Sequence, residues 1–495
     1  MKNYKLILIA LAFVAVGMGC QDLEVENLNN PDRKALLATP SEFPASIEGS
    51  YSSVWGATQY SNFQFPISVM SQSLSMSWGN WGAQDLGTIP RQALQNNLTY
   101  NNRGVFTAVW NSMFSALGQV NGILKIIAED GIVVPDGAGN DITQSVIANG
   151  KFIQGMAMGY LSLTYDQAYI VDETSDISDL SFSPYNEVNA AAIQKLEEAA
   201  ALFAGSNIAM TGFPEFTFVG DDAAKVARSF AAKFEAFNAR NSTEAAAIDW
   251  SNVLSNASNG MDFDLSPLGD GGNVWWHRLL IQGQDPGWSR TSQKMVKLMN
   301  PSKPEAEVPY PWPDGVGTIG EVQNPEDNRF GTDITFAGAA PFSSARGWYF
   351  YSDYDYSRYE AYRATFAEPM DYLTEDELGL IRAEALIRTG GSKIQAAGLI
   401  NNTRVGRGGL LPLTGTESDQ ELLEAITYEL LVETSHHMGG NPWFQRRMRT
   451  PPGNQDATNL YFLEPNTARH LPVPADELSI FGIPFYTFGG NQPEQ

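Results

Sequence analysis

Cysteine is almost absent from this chain: Cys20 is the only one in 495 residues. No internal disulfide can form, so burial of apolar surface has to carry stability. Histidine is nearly as scarce. His277, His436, His437 and His470 show no HExxH spacing and no third ligand beside the adjacent pair, so no metal site is expected. The segment from Glu429 and Glu433 to His436 and His437 reads instead as a surface helix end with cations near its C-terminus. There is no G-x-S-x-G, and Gly269-Asp270-Gly271-Gly272 lacks a following Lys-Ser/Thr. Neither a serine nucleophile nor a phosphate cradle is written, and nothing asks for a cofactor. Positive charge is short too, 31 Lys and Arg against 56 Asp and Glu, for a net −25. That field repels nucleic acid and disfavours strongly anionic ligands. After Val16 no apolar run approaches the roughly 20 residues that span a bilayer.

What is present starts at the N-terminus. Lys2 and Lys5 precede an almost wholly apolar stretch, Leu6 to Val16, and then Gly17-Met18-Gly19-Cys20. This is a lipoprotein-type signal peptide over 1–19, and Cys20 is the expected lipidation site, although Gly17 stands where Leu is usual. Gln21 to Glu26 are acidic and short of large apolar groups, so 20–40 reads as a tether and N-terminal segment. The chain is therefore expected to attach to a membrane through a lipid anchor.

From 41 to 495 no clean linker appears, and a single domain is expected. Phe106, Val109, Trp110, Met113, Leu117, Val120 and Leu124 repeat at spacings of three and four, which predicts a helix over 105–129. Its partner is 145–165, where Gly155, Ala157 and Gly159 alternate with large residues and permit close approach. Further helices are predicted from Ser183-Pro184-Tyr185, with Pro in the first turn, and from Asp221-Asp222 as N-cap. Others run from Thr374-Glu375-Asp376-Glu377 to Gly390-Gly391, and over 392–403 and 419–436. Strand signals are few and short. The fold class is mainly α, a tetratricopeptide-like scaffold of helix pairs with long irregular loops near 56–100 and 262–346.

Those loops carry the candidate site. Trp78, Trp81, Trp275, Trp276, Trp288 and Trp312 all fall in irregular segments, and indole faces stack on sugars and other flat ligands. Asn80 beside the first pair and Asn273 beside the second could bond hydroxyls. Trp78 and Trp81, flanked by Gly79 and Gly82, are expected to be the more exposed. Trp275 and Trp276 could equally plug the loops onto the helices.

An ordered set of short motifs then spans nearly all of the chain. Cys20 is followed by Leu23-x-Val25-x-Asn27-Leu28-Asn29-Asn30-Pro31-Asp32, then Ala38-Thr39-Pro40 and Gly49-Ser50-Tyr51. Lys151 to Gly155 leads to Tyr160-Leu161 and Asp166-Gln167-Ala168. Later come Arg382 to Arg388, Asn401-x-Thr403-Arg404-Val405, Tyr428-Glu429 and Trp443-Phe444-x-Arg446-Arg447. The tail has Leu471-Pro472-Val473-Pro474-x-x-Glu477-Leu478 and Tyr486 to Gly490. In these motifs the chain resembles the SusD/RagB family of outer-membrane nutrient-uptake lipoproteins. The resemblance implies a binder rather than an enzyme. It would capture an oligo- or polysaccharide, or another neutral nutrient, and pass it to a SusC-like TonB-dependent transporter. The competing functions are a lipid-anchored glycan hydrolase with an unrecognised carboxylate pair, and a transporter assembly partner without its own ligand. Arg446 or Arg447 is expected to reach Glu429 or Glu433 and pin the tail to the last helix.

Overall fold

In the computed structural model of the chain, residues 39–76, 78–304, 308, 319–341, 351–437, 441–448 and 463–492 are described. Cys20, the signal segment, the tether up to 38 and Trp312 lie outside them. The chain divides into two units, Met1–Pro40 and Ser41–Gln495, and every element below belongs to the second.

Among the described residues nine helices have nine or more residues: α1 (Phe43–Trp55), α2 (Gly104–Asp130), α3 (Thr143–Thr164), α4 (Tyr185–Phe203), α5 (Asp221–Phe237), α6 (Trp250–Ser258), α7 (Glu375–Arg388), α8 (Lys393–Arg404) and α9 (Asp419–Glu433). They pack in sequence order, α2 on α3, α3 on α4, and so on to α7. The trio α7, α8 and α9 pack on one another, and α1 lies on α2 and α3. This is a mainly α, tetratricopeptide-like stacking of helices that are neighbours in sequence. None of these helices is long and apolar enough to cross a membrane.

The close approach in the middle of the stack has a sequence cause. A Cβ at Gly155 would lie 2.5 Å from Leu196 Cγ, and one at Gly159 would overlap the Phe234 ring. The glycines let α4 and α5 press onto α3, whose last nineteen residues are buried on nearly every side. All seven periodic apolar residues of α2 are buried in the same core.

Helix ends follow local chemistry. Thr374 Oγ1 accepts the Glu377 N–H at 3.1 Å, and Ser418 forms a reciprocal capping box with Glu421. Two boundaries differ from expectation. Pro184 ends a short strand and caps α4 from outside, and Gly220 rather than an aspartate precedes α5. Asp221 is instead used to accept the Gly205 N–H.

The larger correction concerns the end of α9. The helix stops at Glu433, and His436 and His437 turn inward, each 1% exposed. His436 stacks on Tyr356 with ring centroids 3.6 Å apart, and burial holds its pKa well below the usual imidazole value. The expected surface helix end is thus part of the core. Nor do Arg446 and Arg447 reach Glu429 or Glu433. Arg447 pairs with Glu384 at 2.7 Å, and Arg446 donates to the Leu163 carbonyl at the end of α3.

Glu429 and Glu433 have other partners. Arg329 Nη1 reaches both at 2.7 Å while its Nε and Nη2 hold Asp327. Glu433 also receives Arg358 and Arg407, each at 2.8 Å. Arg358 continues to Asp371, which lies 3.6 Å from His437 Nε2, and His437 Nδ1 lies 3.5 Å from Glu377. Glu377 closes the chain on Lys233 at 2.7 Å, with both side chains fully buried. This ion network ties the irregular block after α6 to α5, α7 and α9.

The irregular segments are themselves stitched together by very short antiparallel pairs. Leu74–Ser75 pairs with Arg290–Thr291, and Ile334–Phe336 with Tyr354–Tyr356. Arg278 N–H donates to the Gln59 carbonyl at 2.9 Å, and Leu279 N–H to Gln64 Oε1 at 3.2 Å. The two aromatic-rich loops are thereby brought side by side.

Candidate functional site

Where the loops meet, residues 276–279 alternate between faces, as an extended chain does. His277 and Leu279 are buried, while Trp276 and Arg278 are half-exposed. His277 is the inward anchor. Its backbone N–H donates to Tyr362 Oη at 2.9 Å, and burial pushes its imidazole down to about 3, so it is neutral. On the outward face, Trp276 stacks on Tyr60 with centroids 5.2 Å apart and planes 9° apart.

The other loop supplies Trp81, held at φ 56° and followed by Gly82 at φ 83°. A left-handed non-glycine residue is strained by about 1 kcal/mol or more, so this tight turn is an imposed geometry. A Cβ at Gly82 would sit 2.8 Å from Tyr100 Oη. The turn lays Trp81 against Trp288, centroids 5.6 Å and planes 23° apart, and against Phe65 at 5.5 Å. Trp78, Trp81 and Trp288 share an apolar bed that includes Phe65, Leu74, Met76 and Leu279. Trp78 Nε1 donates to the Gly287 carbonyl at 3.3 Å.

Arg278 bridges the two halves. Its guanidinium carbon lies 4.5 Å from the Trp81 ring centre and 5.2 Å from that of Trp276. Nε donates to the Tyr60 carbonyl at 2.8 Å. No carboxylate lies within ion-pair distance among the described residues, and burial lowers its pKa. The result is a continuous half-buried row, Tyr60, Trp276, Arg278, Trp81 and Trp288, with Trp78 on the same bed and Asn80 exposed beside Trp81. Such a surface offers flat apolar faces for stacking and guanidinium and amide edges for hydroxyls.

Of the candidate residues, Trp78, Asn80, Trp81, Trp276 and Trp288 come together in this way. Trp78 and Trp81 are half-buried, as Trp276 and Trp288 are. Trp275 lies elsewhere. It packs on Trp55 at 5.1 Å and Phe213 at 6.1 Å, and borders a separate open depression of about 640 Å³ with Thr211 and Val274. Asn273 is held within the turn at Asp270, to which it donates through both N–H and Nδ2. Tyr60 and Arg278 escaped the sequence reading. The one available signal was the placement of Arg278 two residues after Trp276, on the same side of an extended segment.

Among the described residues no group of three or more His, Cys, Asp and Glu side chains is arranged around a common point.

Comparison with known proteins gives the same architecture. A SusD superfamily protein from Bacteroides vulgatus superposes with a TM-score of 0.57 at 15% identity, over 89% of this chain and 96% of that one. The fold is SusD-like. The surface glycan-binding protein A from Bacteroides uniformis matches with a TM-score of 0.57 at 13% identity, covering 89% of this chain and 97% of its own. A laminarin-binding SusD-like protein matches with a TM-score of 0.55 at 14% identity, over 91% and 99%. No family model and no curated protein matches the chain by sequence. The SusD-like frame is thus shared at 13–15% identity.

Proposed function

We propose that the chain is a nutrient-binding protein that captures an oligo- or polysaccharide on its aromatic row without cleaving it. The observation that carries this reading is the Tyr60–Trp276–Arg278–Trp81–Trp288 row, half-buried and drawn from two loops that stitch onto each other. Its chemistry suits sugar rings, which present apolar C–H faces flanked by hydroxyls. Two proteins of the same fold bear names that specify a glycan or laminarin ligand, and the ligand class proposed here is the same. Each stacked ring adds about 1 kcal/mol. A few such contacts give micromolar to millimolar affinity, roughly −8 to −4 kcal/mol, which suits a carrier that must release its cargo.

Around that core we place the wider role. Cys20 carries the lipid that holds the chain at the outer membrane, and a SusC-like TonB-dependent transporter takes the bound glycan. The test is titration of the purified chain against a panel of neutral oligosaccharides, followed by tryptophan fluorescence and by assay of reducing ends. Binding without new reducing ends is expected. Turnover, or no response to any glycan, would overturn the reading. Cys20→Ser should move the chain from the membrane fraction to the soluble one.

A further inference from the structure

A second cavity, of about 440 Å³, opens between α5, the end of α6, α7 and α8, and shares no residue with the aromatic row. Two helix faces converge on it with the same spacing. Asp221, Lys225 and Arg228 follow one another along α5, and Glu375, Gly379 and Arg382 along α7, so each helix presents an arginine seven residues after an acidic rim position. Asp221, Asp262 and Glu375 are exposed, whereas both arginines are half-buried.

Among the described arginines, Arg228 and Arg382 alone have side chains with no hydrogen bond and no ion pair. Arg382 Nε is fully buried and unmatched. This is unexpected in a chain with 56 acidic and 31 basic residues. Elsewhere buried arginines reach a carboxylate, as Arg329, Arg358 and Arg447 do. The nearby acids are not poised to help. Lys225 holds Asp262 at 2.8 Å and Asp222 at 3.3 Å, and Asp221 accepts the Gly205 N–H. Glu375 remains at the solvent rim as an acceptor. Asn259 and Asn402 add amide groups to the lining, beside apolar surface from Leu378 and Leu399.

Two guanidinium groups without a counter-ion, at one concave and partly apolar site, fit an oxyanion. We propose that this cavity is a second ligand site, which takes a small sugar-sized solute bearing a carboxylate or phosphate. The oxyanion would sit between Arg228 and Arg382, while hydroxyls on the same solute reach the asparagines and Glu375. The chain's net charge disfavours anions at long range, but at contact distance the two unneutralised cations decide.

The test is calorimetric titration of the full chain with glucuronate, glucose 6-phosphate and glucose. Both acidic sugars, or one of them, should bind where glucose does not, and the pair separates a carboxylate ligand from a phosphate ligand. Arg228→Gln and Arg382→Gln should each weaken that binding by about tenfold, and Trp81→Ala should leave it unchanged. Loss of binding in Trp81→Ala would assign the anion to the aromatic row and overturn the proposal. So would failure of both acidic sugars to bind, or affinity unchanged from the parent chain in both arginine variants. Because Arg228 has no side-chain partner, its replacement leaves the fold intact and keeps the test decisive even if Arg382→Gln misfolds. The acidic sugar should also raise the melting temperature of the parent chain and not that of Arg228→Gln.

Discussion

Arg329 and Arg278 are both drawn out of water, and the molecule treats them in opposite ways. Arg329 is saturated: Asp327, Glu429 and Glu433 occupy its guanidinium from every side, within a network that reaches Lys233. Arg278 has two tryptophan faces and a carbonyl, and its outer edge is left open. The first arrangement fixes one geometry and has nothing left to offer a ligand. The second tolerates an unpaired cation by resting it on π-faces, and keeps donors available. Closure marks the frame and openness marks the site.

The comparison breaks most directly at Arg329. Arg329→Met should destabilise the chain by about 3–5 kcal/mol, because Asp327 and Glu429 would be left buried without their close cation, while Glu433 keeps Arg358 and Arg407. Chemical denaturation measures it, and a loss below about 1 kcal/mol would mean that the network is not the frame. A pH titration of stability probes the other end. Burial pushes Glu377 up, but Lys233 and then His437 outweigh it and leave its carboxyl at about 2. A depressed carboxylate contributes stability above its unfolded pKa and loses it as pH falls through the folded value. The parent chain should therefore lose stability between about pH 4.5 and about pH 2. Glu377→Gln should flatten that slope while lowering stability at neutral pH.

On the open side the effects are smaller and fall on binding. Trp81→Ala and Trp288→Ala should each weaken glycan binding by about tenfold, near 1.4 kcal/mol, as read by titration calorimetry. Unchanged affinity in both would move the site away from the row. Arg278→Gln should have the least effect, a few-fold loss of affinity, since it trades one set of hydroxyl donors for another. A loss of folding stability as large as that for Arg329→Met would show that Arg278 is frame after all.

The helical frame could be read from the chain because the period of α2 and the glycines of α3 are local signals. The caps at Thr374 and Ser418 are local too. The loop tryptophans could be picked out by composition, yet their grouping could not. Trp275 and Trp276 are adjacent in sequence and diverge in space, because consecutive residues of an extended segment face opposite ways. Arg278 joins the row through its distance from Trp81, a contact between segments far apart in the chain. His436 and His437 misled for a related reason. Charge and position suggest a surface helix end, while the ring of Tyr356 waiting above His436 is tertiary information. Arg447 likewise found Glu384 rather than Glu433, because Arg329, Arg358 and Arg407 already crowd the latter.

The two-residue pairing of Leu74–Ser75 with Arg290–Thr291 has a consequence in time as well as in space. It joins stretches of chain that leave the ribosome far apart: Trp78 bonds to Gly287, 209 positions later. Until that late stretch has been made, Trp81 has no Trp288 to lie against and Arg278 has no place to rest. Closing so long a loop is slow, since its entropy is lost before any contact rewards it. The aromatic row is therefore among the last features the chain completes, and the fluorescence of the Trp81–Trp288 pair would report that it is in place.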